Sequence, residues 1–270
     1  MDISEKKGRL EQIFRDIGGA VVAFSGGVDS TFLLKMAVDT LGAENVLAVT
    51  ARSSTYPESE LREARRAVEA FGVSHEEVDS EELQIEGFAE NLPDRCYYCK
   101  KELFGKLVEI ARREGYNTVV DGTNADDAFD HRPGRKAARE LEIRSPLLEA
   151  GLTKEDIRSL SKEMGLRTWD KGSFACLASR FPYGDMITEE KLEQVGLAEE
   201  VLREAGFRQF RVRHHGTVAR IEVAAEEIPR LHDAGFAGRI VRALKELGYK
   251  YVTLDLEGYR TGSMNETLDR

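Results

Sequence analysis

The chain has 270 residues, 41% of them apolar, enough to bury the core of one large domain or two modest ones and too many for a disordered chain. No apolar run approaches the roughly 18 residues that cross a bilayer, and the charged stretch Met1 to Leu10 lacks the apolar segment of a secretion signal, so a cytoplasmic protein with no membrane partner is expected. A net charge of −10, from 49 acidic and 39 basic side chains, repels a nucleic-acid backbone and favours a small substrate, and three cysteines argue against a closed disulfide framework.

In chain order, Gly19 to Phe24 reads as a buried strand and Thr31 to Leu41 as a helix with Phe32, Leu33, Met36 and Ala37 at helical spacing. Asn45 to Thr50 is a second apolar run. Glu58 to Phe71 puts Leu61, Ala64, Val68 and Phe71 on one helical face, and Gly72 to Val78 suits a third strand. The spacing of Leu103, Leu107 and Ile110 predicts a helix over Cys99 to Arg113, followed by a fourth strand at Asn117 to Asp121. Such alternation indicates a doubly wound α/β domain with a parallel sheet, assigned here to residues 1–170. Thr153-Lys154-Glu155-Asp156 is a capping-box pattern that starts a helix ending before Gly165. Gly172, Pro182 and Gly184 make the stretch around Cys176 a loop, so 171–187 is expected to link two domains. Beyond it, a helix from Thr188 to Ala205, strands at Phe207 to Arg213 and Thr217 to Val223 around Gly216, a mostly helical Glu226 to Leu247 and a strand from Tyr251 to Leu256 describe a small α+β domain over 188–270.

The most informative motif is Ser25-Gly26-Gly27-Val28-Asp29-Ser30-Thr31, directly after a strand and before a helix. Glycines let backbone approach an anion, and the N–H groups and dipole of the helix start then face it. A Walker A loop needs Gly-Lys-Ser/Thr; the one Gly-Lys pair, Gly105-Lys106, precedes Leu107, so that motif fails. Ser-Gly-Gly-Val-Asp-Ser instead resembles the PP-loop of the ATP pyrophosphatases, which implies cleavage of ATP to AMP and pyrophosphate. The plainer alternative is a turn that only joins strand to helix. A second loop, Gly122-Thr123-Asn124-Ala125-Asp126-Asp127, follows the fourth strand. Ligands of doubly wound sheets bind at the C-terminal ends of strands, so this loop is expected beside Ser25 to Ser30, with Asp126 either on Mg²⁺ or in an Asx turn. Arg52 reaches the same rim and meets nucleotide or a surface acid.

Cys96-Tyr97-Tyr98-Cys99 is a lone CxxC, and Cys176 is the third cysteine. Redox chemistry, a Cys₃His zinc site, Cys176 as an independent nucleophile activated by Arg180 or Lys171, and three unrelated thiols all fit this count. So does a [4Fe–4S] cluster held by three thiolates, whose fourth iron would be open to hydrosulfide.

Together these pieces resemble the LarE family of PP-loop sulfur transferases. The resemblance rests on Ser25 to Thr31, Arg95 to Lys100, Gly122 to Asp127, Ser173 to Gly184, Arg211 to Val223 and Gly258 to Glu266, with Cys176-Leu177-Ala178-Ser179-Arg180 and Arg211-Val212-Arg213-His214-His215-Gly216 its more specific parts. It implies a substrate, pyridinium-3,5-biscarboxylic acid mononucleotide, whose carboxylates are adenylated and become thiocarboxylates for the nickel-pincer cofactor of lactate racemase. ATP, Mg²⁺ and a sulfide donor are implied with it. In some members a lone cysteine matching Cys176 gives up its own sulfur; the CxxC places this chain with the branch in which three cysteines hold a [4Fe–4S] cluster. A homo-oligomer, with a hexamer among its forms, is also implied.

Alternation along the strand puts Arg211 and Arg213 on one face, suited to the substrate phosphate or to ordinary cross-strand pairing. Glu200 and Glu222 are candidates for a divalent ion, or simple surface charges. Tyr97, Tyr98 and Trp169 fit either a pyridinium or packing. Competing functions are tRNA thiolation by a related PP-loop enzyme, an ammonia-using synthetase that would leave the cysteines idle, and a non-catalytic binding module.

Overall fold

The computed structural model describes residues 1–129, 133–172, 175–260 and 262–267; Ser173 and Phe174, within one of the matching segments, lie outside them. The chain forms two compact units, Met1–Glu82 with Asp94–Lys171, and Leu83–Pro93 with Gly172–Arg270.

The first unit opens with α1 (Ile3–Ile17), whose Asp2 and Glu5 form a capping box and which stops at Gly18 in a left-handed conformation. Four strands, β1 (Ala20–Ala23), β2 (Val46–Arg52), β3 (Ser74–Asp79) and β4 (Val119–Val120), pair in parallel in the order β3-β2-β1-β4. Strand alternation builds a core on each face. Ala20, Val22 and Ala48 join Leu10 and Phe14 of α1, Phe32 and Leu33 of α2 (Val28–Leu41), and Ala64 and Val68 of α3 (Glu58–Phe71). Val21, Leu47 and Val49 face the other way, against Phe104, Leu107 and Ile110 of α4 (Arg95–Glu114). The sheet is therefore covered on both sides, as a doubly wound fold requires. Short helices α5 (Gly134–Glu140) and α6 (Pro146–Glu149) follow, then α7 (Lys154–Glu163), which carries the expected capping box between Thr153 and Asp156.

Two boundaries differ from the sequence reading in ways that matter. Helix α2 begins at Val28, with Gly27 as its N-cap, so the glycine pair touches the helix directly. Helix α4 begins at Arg95 rather than Cys99 and takes the whole CxxC into its first two turns. Its apolar spacing starts only at Leu103, which is why the periodicity misplaced the start.

The second unit contains α8 (Glu189–Glu204), capped by Thr188, and a three-stranded sheet. Strands β5 (Phe210–His215) and β6 (Val218–Val223) are antiparallel around Gly216, and β7 (Tyr251–Leu254) lies parallel to β6 after α9 (Ala234–Glu246). Leu202, Phe210, Val212, Ile221, Leu244 and Tyr249 fill its core. The stretch after Cys176 contains a single 3-10 turn, Leu177–Arg180. The excursion 83–93 belongs here because Asn91, fully buried and left-handed, donates from Nδ2 to the carbonyls of Phe181 (3.3 Å) and Pro182 (2.6 Å), while Gly184 N–H donates to its carbonyl.

Candidate active site

Gly26 has φ +61, and a Cβ there would lie 3.2 Å from the Ala64 Cβ of α3, so both conformation and space demand glycine. The turn is locked internally. Ser30 Oγ accepts from Ser25 N–H (3.3 Å), donates to the Gly27 carbonyl (3.3 Å) and lies 3.1 Å from Ser25 Oγ. Tyr56 adds a 2.6 Å bond from its hydroxyl to the Ser25 carbonyl. The start of α2 is thus held as a rigid ring of backbone, its leading N–H groups suited to an anion.

The expected neighbour is in place. A Cβ on Gly122 would lie 3.2 Å from Ser30 N and 3.4 Å from Asp29 Cβ, so the loop after β4 rests on the nucleotide loop at van der Waals distance. Asp121 fixes that loop by accepting from Thr123 N–H (3.2 Å), Thr123 Oγ1 (2.7 Å) and Ser145 Oγ (2.7 Å). Asp29 pairs through Oδ2 with Lys154 Nζ at 2.5 Å, while its buried Oδ1 has no hydrogen-bond partner among the described residues. Burial pushes its carboxyl up against the opposing pull of Lys154. A spare carboxylate oxygen beside a phosphate-type loop fits the hard-oxygen preference of Mg²⁺. Asp126 is exposed; its Oδ2 accepts from Lys154 N–H (2.8 Å) at the start of α7, and its own N–H donates to Asn124 Oδ1 (2.9 Å), the geometry of an Asx turn. Arg52 stays on the rim, donating to Asp79 from Nε (2.9 Å) and Nη2 (2.7 Å), its register partner on β3.

No disulfide joins the cysteines; Cys96 and Cys176 are exposed and Cys99 half-buried. Cys96 and Cys99 stand one turn apart on α4 and so share a face. Cys99 Sγ donates to Glu82 Oε1 (3.5 Å), a buried carboxylate that also accepts from Thr55 Oγ1 (3.1 Å). Burial pushes the Glu82 carboxyl up, against the hydrogen bonds it accepts. Among the described residues no group of three or more His, Cys, Asp or Glu side chains is arranged to hold a metal ion. Tyr97 and Trp169 are engaged by cations already, Lys101 and Lys136 over the first ring and Lys162 over the second.

In the second unit Arg180 is fully buried. It forms a bidentate pair with Glu199 (2.7 and 2.9 Å), and its Nη1 donates to the carbonyls of Ala175 (3.1 Å) and Cys176 (3.2 Å). These bonds tie down the backbone at Ala175 and Cys176. Glu199 also accepts from Val212 N–H (3.0 Å), tying that loop to β5. Arg211 and Arg213 share the predicted face of β5, both buried. Burial, with Arg180 pushing the same way, lowers Arg211 to about 10; its guanidinium lies 4.9 Å from the Tyr259 ring centroid. Arg213 donates to the Ser179 carbonyl (2.9 Å), Glu222 (2.7 Å) and Ser263 (3.0 Å), leaving a buried Nε with no hydrogen-bond partner among the described residues. Glu222 is enclosed by Arg213, Arg220 and Ser263, and Glu200 pairs with Arg203 at 2.7 Å.

Sequence reasoning missed Lys154, Glu82 and Glu199, and offered Lys171 only as an activator of Cys176, whereas its Nζ meets the Gly26 carbonyl. Each acts through a partner far along the chain, and no local spacing marks it. No described helix is long and apolar enough to cross a membrane.

Comparison with known proteins agrees with this geometry. The NAD synthase family matches residues 9–97, which hold the nucleotide loop. An uncharacterized protein of Synechocystis is 43% identical over 268 residues, covering 99% of this chain and 100% of that protein. The pyridinium-3,5-bisthiocarboxylic acid mononucleotide synthase of Lactiplantibacillus plantarum is 41% identical over 268 residues, 99% of this chain and 96% of its own length. An NH(3)-dependent NAD(+) synthetase of Methanopyrus kandleri is 32% identical over 148 residues, 48% of this chain and 51% of its own. Similarity to the synthase runs through both units, whereas similarity to the NAD synthetase covers only about half the chain, and the chain accordingly belongs to the LarE family of ATP-dependent sulfur transferases within the PP-loop enzymes.

Proposed function

We propose that this protein converts the carboxylates of pyridinium-3,5-biscarboxylic acid mononucleotide to thiocarboxylates, one ATP activating each. The observation that carries the reading is identity of 41% along the whole chain with a synthase of the bisthiocarboxylic acid mononucleotide, combined with a glycine-built anion loop. A carboxylate resists sulfur substitution because oxide is a poor leaving group. The carboxylate oxygen attacks the α-phosphorus of ATP; an O–P bond forms, the α–β P–O bond breaks and pyrophosphate leaves. Sulfide then attacks the acyl carbon, a C–S bond forms, the C–O bond breaks and AMP carries away the oxygen.

Within that sequence, Ser25 to Ser30 hold the triphosphate through backbone N–H groups and hydroxyls, and Gly122 and Thr123 close the other side. Asp29 would hold Mg²⁺ with its spare carboxylate oxygen, and the ion would supply charge neutralisation for the departing pyrophosphate. Arg213, with its spare Nε, and Arg211 take the substrate phosphate. Arg180 positions Cys176 through the backbone. Cys96, Cys99 and Cys176 would supply the thiolates for a [4Fe–4S] cluster, which would offer an iron able to present sulfide. The product would serve nickel-pincer cofactor assembly. A cytoplasmic setting accords with three reduced thiols.

One other reading has an observation behind it: the NAD synthase match over 9–97 suits an ammonia-using enzyme. The nucleophile separates the two. Anaerobic protein given the mononucleotide and ATP is expected to release AMP with sulfide as co-substrate and not with ammonia. Iron and acid-labile sulfide should copurify and be lost on Cys96→Ala, Cys99→Ala or Cys176→Ala. Amide product from ammonia, or AMP release indifferent to sulfide, would overturn the proposal; cluster content indifferent to the cysteines would remove the three-thiolate assignment.

A further inference from the structure

We propose that Lys171 is a positioning residue of the nucleotide loop, aiming the Gly27 N–H at phosphate by anchoring the Gly26 carbonyl. Lys171 Nζ donates to that carbonyl at 3.1 Å and pairs with Glu60 Oε2 and Glu63 Oε2, both at 2.7 Å, on α3. An ammonium has three donors and no acceptor, so these three partners fix its direction completely. Lys171 and Glu60 are enclosed, their side chains 12% and 5% exposed, while Glu63 faces solvent. The lysine is held from behind as well, because Arg158 of α7 donates to the carbonyls of Trp169 (2.6 Å) and Lys171 (2.8 Å).

Peptide geometry carries the consequence. In a trans peptide the carbonyl of one residue and the N–H of the next point in opposite directions. A Gly26 carbonyl drawn toward Lys171 and α3 turns the Gly27 N–H away from them. Gly26 most needs such an anchor, because glycine gives the peptide plane freedom to flip and its φ of +61 is not enforced by a side chain. Contact with Ala64 sets how close the loop lies to α3; Lys171 sets which way its peptide faces.

This inference rests on the reading that Ser25 to Ser30 bind ATP, and the test separates the two. Binding of Mg²⁺ and α,β-methylene-ATP would be measured by calorimetry on the full chain. Lys171→Met is expected to weaken binding about tenfold or more, the range for losing a charged hydrogen bond. Lys171→Arg should recover most of it by still donating to the carbonyl. Removing the lysine takes a cationic partner from buried Glu60, so the double variant Lys171→Met/Glu60→Gln supplies a background without that charge imbalance. Weak binding in the double variant, with native-like circular dichroism, supports the carbonyl anchor. Binding within about twofold of native in Lys171→Met, or binding restored in the double variant, overturns it. No binding by the native protein would sink the ATP reading itself, and the inference with it.

Discussion

Gly26 combines a left-handed φ with a neighbour 3.2 Å from where its Cβ would sit, whereas Gly72, at φ +65, has nothing within 4 Å. Gly72→Ala therefore costs conformation alone, and Gly26→Ala costs conformation plus a clash with helix backbone. We expect a loss of about 1–3 kcal/mol at Gly26, larger than at Gly72, in urea titrations; equal losses would show that Ala64 does not constrain the loop. Glu199 gives a residue-scale pH dependence. Burial pushes its carboxyl up, but Arg180, Arg211 and the Val212 N–H together hold it below the usual range. A depressed carboxyl contributes stability that is present above its unfolded value, about 4.3, and is lost as pH falls through the lower folded value. Glu199→Gln should cost about 3–5 kcal/mol at neutral pH by stranding buried Arg180, and its stability should fall less steeply than native below pH ~4. Parallel pH curves would contradict this. The chemistry of the loop was readable because a glycine pair, hydroxyls and an apolar run sit together. Arg180 was readable as important but not as buried, since its partner lies on a helix whose sequence gives no sign of which acid turns inward.

Among the elements, β1, α3, α8 and β6 fell where the pattern put them, whereas β5 starts at Phe210 rather than Phe207 and runs on through His215. Helix α1 carries little signal beyond charge in the sequence, although Leu10 and Phe14 bury completely on one face. Lys, Glu and Arg on the opposite face outweigh them in any average. The early start of α4 matters more, because it takes Cys96 as well as Cys99 into the helix and puts both thiols on one face. Helix α7 is the best element for a direct test. It supplies Lys154 to Asp29 and Arg158 to the backbone of Lys171, and its first turn depends on the Thr153 capping box. Thr153→Ala should cost about 1 kcal/mol, and it should weaken α,β-methylene-ATP binding as the first turn frays. Thr153→Ser, which retains the oxygen, should do neither. Lost stability with unchanged binding would show that α7 does not support the loop.

At the scale of the whole molecule, strand–helix alternation was enough to give a parallel sheet with helices on both faces, and the strand-end rule was enough to place Gly122 against Ser30. The allocation of 83–93 to the second unit had no such marker. It depends on Asn91, a single left-handed residue whose amide holds two carbonyls about 90 residues away in sequence. We propose that the chain is a catalyst in which ATP activates a carboxylate and sulfide, delivered with the help of three cysteines, replaces its oxygen. The most direct measurement is mass spectrometry of both small molecule and protein after anaerobic incubation with ATP, Mg²⁺, sulfide and pyridinium-3,5-biscarboxylic acid mononucleotide. The account predicts oxygen-for-sulfur exchange on the mononucleotide over many turnovers, with the mass of the Cys176 peptide unchanged. An unaltered mononucleotide, or product limited to one sulfur per chain with Cys176 converted to dehydroalanine, would contradict it.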